Sequence, residues 1–318
     1  MRRAAKVAAL ALGALALLVA GYVAFNWAPD RPVSQLTARW APPPSSFIDV
    51  QGMQVHVRDE GWRDDPVPIV LLHGTSDSLH TWDGWVRALE GRRRVIRMDM
   101  PGFGLTGPSP AGDYSIGSYV RFTTAVLDHF GVERCVLAGN SLGGWVAWET
   151  ALALPSRVQA LVLVDSAGYA YRSQSVPIGF RIARIPLVNR LVEFTLPRSL
   201  VASSVRNVYG DPARVTTELI DRHYELALRA GNRTALVQRF AQAPPGIDEA
   251  RIREIKTPTL ILWGGRDRLI PAEYGGVFAK DIAGSQLVIF DDLGHVPQEE
   301  DPARTVAAVV SFLAGLPD

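Results

Sequence analysis

The chain reads as an α/β fold: a mostly parallel, doubly wound sheet with an inserted helical segment, preceded by one N-terminal transmembrane helix. Three observations predict it. Short apolar runs of strand length alternate with helical patterns from residue 47 onward, as a doubly wound sheet with right-handed crossovers requires. The alternation breaks between residues 168 and 255 and then resumes. An uncharged apolar run opens the chain. The predicted segments are 1–28 (membrane anchor or signal sequence), 29–46 (Pro-rich linker), 47–167 (core, first part), 168–255 (helical insertion) and 256–318 (core, second part).

At the start, Arg2, Arg3 and Lys6 precede a run from Val7 to Phe25 dominated by Ala, Leu and Val. About 19 residues at ~1.5 Å each give roughly 28 Å, close to the hydrocarbon thickness of a bilayer. Tyr22, Phe25 and Trp27 cluster at its far end, where amphipathic rings favour the interface. The competing reading is a secretory signal cut near Val19-Ala20-Gly21, which would release the rest as a secreted protein. As an anchor, the positive flank keeps the N-terminus in the cytoplasm. The folded part then lies outside the inner membrane, in the periplasm where one exists. Pro29 to Ser46, with Pro42-Pro43-Pro44, reads as a stiff spacer.

The strands follow in order: Ile69–Leu72, Arg94–Met98, Cys135–Ala138, Leu161–Val164, Thr259–Trp263 and Gln286–Phe290. Between them, Ile116 to Phe130 has helical spacing at Ile116, Val120, Thr123 and Leu127. The insertion carries no clear strand and reads as several helices interrupted by Pro177, Pro186, Pro197, Pro212 and Pro244-Pro245. Its arginines Arg172, Arg181, Arg184, Arg190, Arg198 and Arg206 are opposed only by Glu193, a pattern that suits either a solvated basic face or anionic lipid. With 33 basic and 32 acidic residues, nothing points to nucleic acid. The single cysteine, Cys135, sits in a strand and reads as buried packing; no intramolecular disulfide can form.

The chemistry concentrates in Gly139-Asn140-Ser141-Leu142-Gly143, between an apolar run and a helical pattern. So tight a strand-to-helix turn strains its central residue and leaves no room for side chains two residues to either side. It holds the Ser141 hydroxyl exposed near the positive end of a helix. A serine needs a base, and the base needs an orienting group. Asp267 follows the strand Thr259–Trp263, and His295 follows Gln286–Phe290. Loops beyond the carboxyl ends of parallel strands converge on one rim, so the three can meet there. Asp165, after Leu161–Val164, is the alternative acid. Asp291 and Asp292 read as turn residues, and His56, His80, His129 and His223 as surface or packing residues.

These residues resemble the α/β-hydrolase superfamily. The His73-Gly74 loop, Asp99-Met100-Pro101-Gly102-Phe103-Gly104, the elbow at Ser141, Trp263-Gly264-Gly265-Arg266-Asp267 and Gly294-His295 fall in that family's order, from Phe47 to the C-terminus. The resemblance implies an α/β-hydrolase fold opening with an antiparallel hairpin, Phe47–Val50 and Met53–Arg58, which turns at Gln51-Gly52. It implies Ser141 as nucleophile, His295 as general base then acid, and Asp267 as orienting carboxylate. Backbone N–H groups of Leu142 and Thr75, with Ser76 the alternative to Thr75, would form the oxyanion hole. His73 would brace that loop through the backbone. The insertion becomes a cap over the catalytic rim. Gly74, His73, Asn140, Phe103 and Val296 would line the pocket, joined by cap residues among Tyr169, Tyr171, Ile178, Phe180, Phe194 and Tyr209.

Within the superfamily, a serine elbow argues against dehalogenase and epoxide hydrolase chemistry. Carbon–carbon bond hydrolases of ring-cleavage pathways have a similar elbow and a helical cap. Their oxyanion loop is richer in glycine than His73-Gly74-Thr75-Ser76-Asp77, however, and their catalytic His is usually followed by Trp rather than by Val296. The resemblance therefore implies first a serine hydrolase of carboxylic esters, acting on a small apolar ester or a lipid, and second a carbon–carbon hydrolase. Acyl transfer to another acceptor would use the same residues. A ligand receptor on the same fold is the alternative of another class. The chemistry needs no metal or cofactor, and no clustered metal ligands stand out in the sequence.

Overall fold

The computed structural model describes residues 2–89, 91–186 and 188–316. Met1 and residues 317 and 318, the ends of the first and last predicted segments, lie outside them. The chain opens with helix α1 (Arg2–Phe25). Ala5–Phe25, 21 residues, is long and apolar enough to cross a membrane, and it is exposed. A single turn, α2 (Thr37–Trp40), follows.

Strands β1 (Ser46–Val50) and β2 (Met53–Gly61) then form an antiparallel hairpin. Its turn places Gln51 at φ 54° and Gly52 at φ 75°, the left-handed pair whose twist matches that of the strands. Next come β3 (Ile69–Leu72), α3 (Asp83–Leu89), β4 (Arg94–Met98), α4 (Ile116–His129), β5 (Cys135–Asn140), α5 (Leu142–Ala153) and β6 (Val158–Val164). The insertion contributes α6 (Ile178–Ala183), α7 (Arg198–Val208), α8 (Thr217–Ala227) and α9 (Asn232–Gln242), and no strand among the described residues. The chain returns through β7 (Thr259–Gly264), α10 (Glu273–Asp281), β8 (Gln286–Phe290), α11 (Pro297–Glu300) and α12 (Pro302–Ala314).

The eight strands form one sheet in the order β1-β2-β4-β3-β5-β6-β7-β8, parallel from β4 to β8. Central strands are buried on both faces, which is why they read as unbroken apolar runs. Alternate residues feed two cores. Val70, Leu72, Leu137, Leu161, Leu163 and Ile261 face α4, α5 and α10. Ile69, Leu71, Val136, Val162, Leu260 and Leu262 face Trp82, Trp85 and α12. The order reverses at β3, between β4 and β5, so the loops leaving β3 and β5 part there and open a crevice.

The segment 29–46 does not stand away from the domain as a spacer. Leu36 and Trp40 bury against Leu105 and Leu226 of α8, and Trp40 Nε1 donates to Glu225 (2.7 Å). Asp30 accepts from Gly231 N (3.0 Å) and pairs with Arg233 (2.7 Å). Two large apolar side chains among the prolines outweigh the stiffness of the spacer and pull it onto the protein.

The turn after β4 is held by Asp99, which is fully buried. Its Oδ1 accepts from Leu79 N (2.8 Å), and its Oδ2 accepts from Leu105 N (2.7 Å) and meets His56 Nδ1 (2.7 Å). Burial would raise its pKa, but His56, His73 and His80 and the His56 hydrogen bond hold it well below the carboxylate range. The stabilisation is therefore complete above the unfolded pKa of about 3.9 and is lost as pH falls through the lower folded value. Asp99→Ala, which orphans these donors, should cost roughly 3–5 kcal/mol in denaturant unfolding. A loss under ~1 kcal/mol would show that the turn is held by other contacts.

Candidate active site

Ser141 occupies the single position between β5 and α5, at φ 55° and ψ −114°. The strain is fixed by hydrogen bonds on both sides: Ser141 N donates to Val164 O (3.0 Å), and Ser141 O accepts from Trp145 N (3.1 Å) and Ala167 N (3.0 Å). A Cβ on Gly143 would strike the carbonyl oxygens of Leu72 and His73, and one on Gly139 would strike Gly143 O. Only glycine lets β5, α5 and the loop after β3 meet this closely.

His295 lies in the loop after β8, with Nδ1 2.6 Å from Asp267 Oδ2. Asp267 Oδ1 accepts from Leu269 N (2.8 Å) and Ile270 N (3.0 Å), so both carboxylate oxygens are engaged and the group is fixed. Asn140 ties the elbow to this loop by donating from Nδ2 to His295 O (2.9 Å) and Val164 O (3.1 Å). His295 N donates to Val208 O (2.8 Å) at the end of α7. The buried Glu300 carboxylate accepts from Gly294 N (2.7 Å) and from Gly210 N (2.9 Å) of the insertion, and burial pushes its pKa up to about 7.

Asp165, the alternative acid, directly follows β6 at φ 43° and accepts from Gly264 N (3.0 Å). Oxygens of Asp165 and Asp267 and a ring nitrogen of His295 all lie within 4.8 Å of one another, but the hydrogen bond to His295 comes from Asp267. Complete burial, then the charge of Asp267, push the Asp165 pKa well above the usual range, against the pull of the Gly264 N–H. Both causes favour the protonated form of Asp165.

Ser141, Leu142, Asn140, His295, Val296, Gly74 and Thr75 all border one cavity of about 410 Å³. Tyr171, Phe180 and Tyr209 of the insertion also line it, whereas Tyr169, Ile178 and Phe194 do not. Two predicted pocket residues are corrected. His73 is buried behind the loop, its Nδ1 donating to Gly74 O (2.7 Å) and its Nε2 accepting from Met100 N (2.9 Å). Phe103 packs edge-on against that ring (5.7 Å between centroids), because Gly102 N donates to Gly107 O (2.7 Å) and turns the loop inward.

His223 is corrected in the other direction. It borders the cavity, with Nδ1 3.1 Å from Ser76 O, in a cluster with Asp77 and Glu299. Arg222 matches that charge at 2.7 Å from Glu299 and 3.4 Å from Asp77. This group joins α8 to the loop after β3, a grouping of His and acids that the sequence did not reveal. Tyr22 of α1 and Arg184 and Arg239 of the insertion border the cavity too, with no local pattern to announce them.

A family model described as alpha/beta hydrolase fold matches residues 67–302. An uncharacterised protein of Mycobacterium tuberculosis is 32% identical, over 86% of this chain and 82% of that protein. The 2-hydroxymuconate semialdehyde hydrolase of a Pseudomonas strain is 30% identical, over 84% of this chain and 93% of that enzyme. The crystal structure of a membrane phospholipase A, described as a bacterial virulence factor, is 26% identical with a TM-score of 0.74, and the match covers 99% of both chains. From the sheet, the elbow and these likenesses together, the chain belongs to the α/β-hydrolase fold family.

Proposed function

We propose that this hydrolase cleaves carboxylic esters of apolar small molecules or lipids through an acyl-enzyme, with Ser141 as nucleophile, His295 as base and acid, and Asp267 as orienting carboxylate. The observation that carries the reading is the buried 2.6 Å contact between His295 Nδ1 and Asp267, beside a strained serine on the wall of a largely apolar cavity. Ser141 Oγ attacks the ester carbonyl as His295 Nε2 takes its proton. The oxyanion rests on the N–H groups of Leu142 and Thr75. The imidazolium then protonates the leaving alcohol, and a water deprotonated by the same ring releases the acid.

Membrane attachment through α1 fits this substrate class. Tyr22 borders the cavity, Trp27 stacks on Phe194 (6.0 Å), and Ile178, Ile185 and Val188 of the insertion are exposed nearby in sequence. The likeness to a membrane phospholipase A along both whole chains points the same way. On this reading the catalytic part faces the extracytoplasmic side. Of the six insertion arginines, Arg198 pairs with Asp221 (2.5 Å) and Arg184 stacks on Phe240 (4.4 Å), which leaves a thinner basic face than the sequence suggests.

A second reading, carbon–carbon hydrolysis of a ring-cleavage product, is favoured by the likeness to 2-hydroxymuconate semialdehyde hydrolase. Assaying graded p-nitrophenyl esters beside a ring-cleavage dienone separates the two. Turnover of the dienone alone would overturn the ester reading.

Ser141→Ala should abolish labelling by a fluorophosphonate probe and lower ester kcat by on the order of 10³ to 10⁶. Retained hydrolysis would exclude Ser141, and an unlabelled wild-type chain would favour a receptor. Asp267→Asn should cost less than Ser141→Ala but more than Asp165→Asn; the reverse order of the two acids would exchange their roles.

Because burial and the charge of Asp267 raise the folded Asp165 pKa above its unfolded value, the group lowers stability as pH rises past ~4. Asp165→Asn should therefore weaken the fall in stability that urea unfolding measures as pH rises above ~4. An unchanged slope would mean that the folded group is ionised.

A further inference from the structure

Five arginines of the described structure are buried, and four have a carboxylate partner. Arg58 is 3.6 Å from Asp83, and Arg97, Arg222 and Arg233 are 2.8, 2.7 and 2.7 Å from Glu60, Glu299 and Asp30. The fifth, Arg239 of α9, is 5% exposed and has no carboxylate partner among the described residues. Its Nε is buried without a hydrogen-bond partner, and its side chain borders the cavity that holds Ser141.

The surroundings of Arg239 add positive charge instead of cancelling it. Its guanidinium lies 5.3 Å from the Phe240 ring centroid, and the Arg184 guanidinium lies 4.4 Å from the same centroid. The Tyr119 and Tyr171 hydroxyls and the Arg184 guanidinium are the groups that act electrostatically on Arg239, and none of them is a carboxylate. Burial lowers the Arg239 pKa, yet a guanidinium in a protein keeps its proton at neutral pH. A buried, unpaired charge is costly to hold, and in a catalytic cavity the missing partner is supplied by what binds there. A planar fork of N–H donors selects an oxyanion that can accept two of them at once.

We infer that Arg239, with Arg184 beside it, forms an oxyanion-binding subsite in the wall of the catalytic cavity, so that the substrate is an ester also carrying a carboxylate or a phosphate. The inference deepens the serine-esterase reading and rests on it for the word substrate, but the subsite can be tested without turnover. The remainder of the cavity is largely apolar, with Val188, Val192, Leu196 and Leu200 on its walls, which suits an amphiphile with one charged group.

The test is isothermal titration of the full-length Ser141→Ala chain in a non-ionic detergent with hexyl phosphate, hexanoate and hexanol. The two anions should bind at least tenfold more tightly than the alcohol. The stronger of the two identifies phosphate or carboxylate as the group recognised. Adding Arg239→Gln should remove the difference, and Arg239→Lys, which keeps the charge and loses the fork, should keep part of it and guards against a folding defect in the first variant. Equal binding of anion and alcohol, or a preference that survives Arg239→Gln, overturns the subsite.

In the enzyme with Ser141 intact, the ratio of kcat/KM for mono-p-nitrophenyl glutarate to that for p-nitrophenyl pentanoate should fall at least tenfold in Arg239→Gln if the carboxylate is recognised. Anion binding together with a failed fluorophosphonate reaction would sink the esterase reading and leave the subsite standing.

Discussion

The close approach of three backbones at Ser141 is the constraint on which the site depends. β5 must end, α5 must begin, and the loop after β3 must pass within contact of both. Gly143 makes this possible, since any larger residue would strike the carbonyl oxygens of Leu72 and His73. The same contact brings Leu142, Gly74 and Thr75 to the wall of one cavity. The cost is a serine at φ 55°, held by Val164, Trp145 and Ala167. Because the helix starts at the very next residue, Ser141 stands at the positive end of α5.

Around this point the protein separates two acids that sit almost together. Asp267 has both oxygens engaged by Leu269, Ile270 and His295, while Asp165 receives one backbone N–H. Hydrogen bonds to the charged form favour ionisation, and burial without them opposes it. The carboxylate that meets His295 Nδ1 is thus the one after β7, while burial and the charge of Asp267 push the pKa of the one after β6 upward. An ester and a carbon–carbon bond would both meet this same arrangement, so the distinction between those chemistries lies in the walls of the cavity.

What the sequence revealed follows from which forces are local. Apolar runs buried on both faces announce β3, β5, β6 and β7, and a Gly-x-Ser-x-Gly turn announces the elbow. The meeting of Asp267 and His295 was legible because each lies in the loop that leaves a predicted strand, β7 and β8. Phe103 was misjudged because its direction depends on the Gly102–Gly107 hydrogen bond, which composition does not encode. His223 looked inert because its neighbours, Asp77 and Glu299, lie far away along the chain. Residues 29–46 looked like a spacer because their prolines are conspicuous, while the surface that receives Leu36 and Trp40 forms only when α8 packs beside Leu105. Secondary structure and strand-end chemistry are written locally, but the lining of a cavity under an insertion is a product of assembly.

Glu300 bears on how the covered site can be reached. One carboxylate grips Gly294, next to His295, and Gly210, at the end of the α7 segment, while His295 N holds Val208 O. A cover pinned at this corner cannot swing upward as a rigid plate without tearing the imidazole from its place. The exposed apolar side chains of the insertion, Ile178, Ile185, Val188 and Phe194, lie outside this pinned stretch. The roof of the cavity is thereby fastened, by one carboxylate and one amide, to the very loop that carries His295.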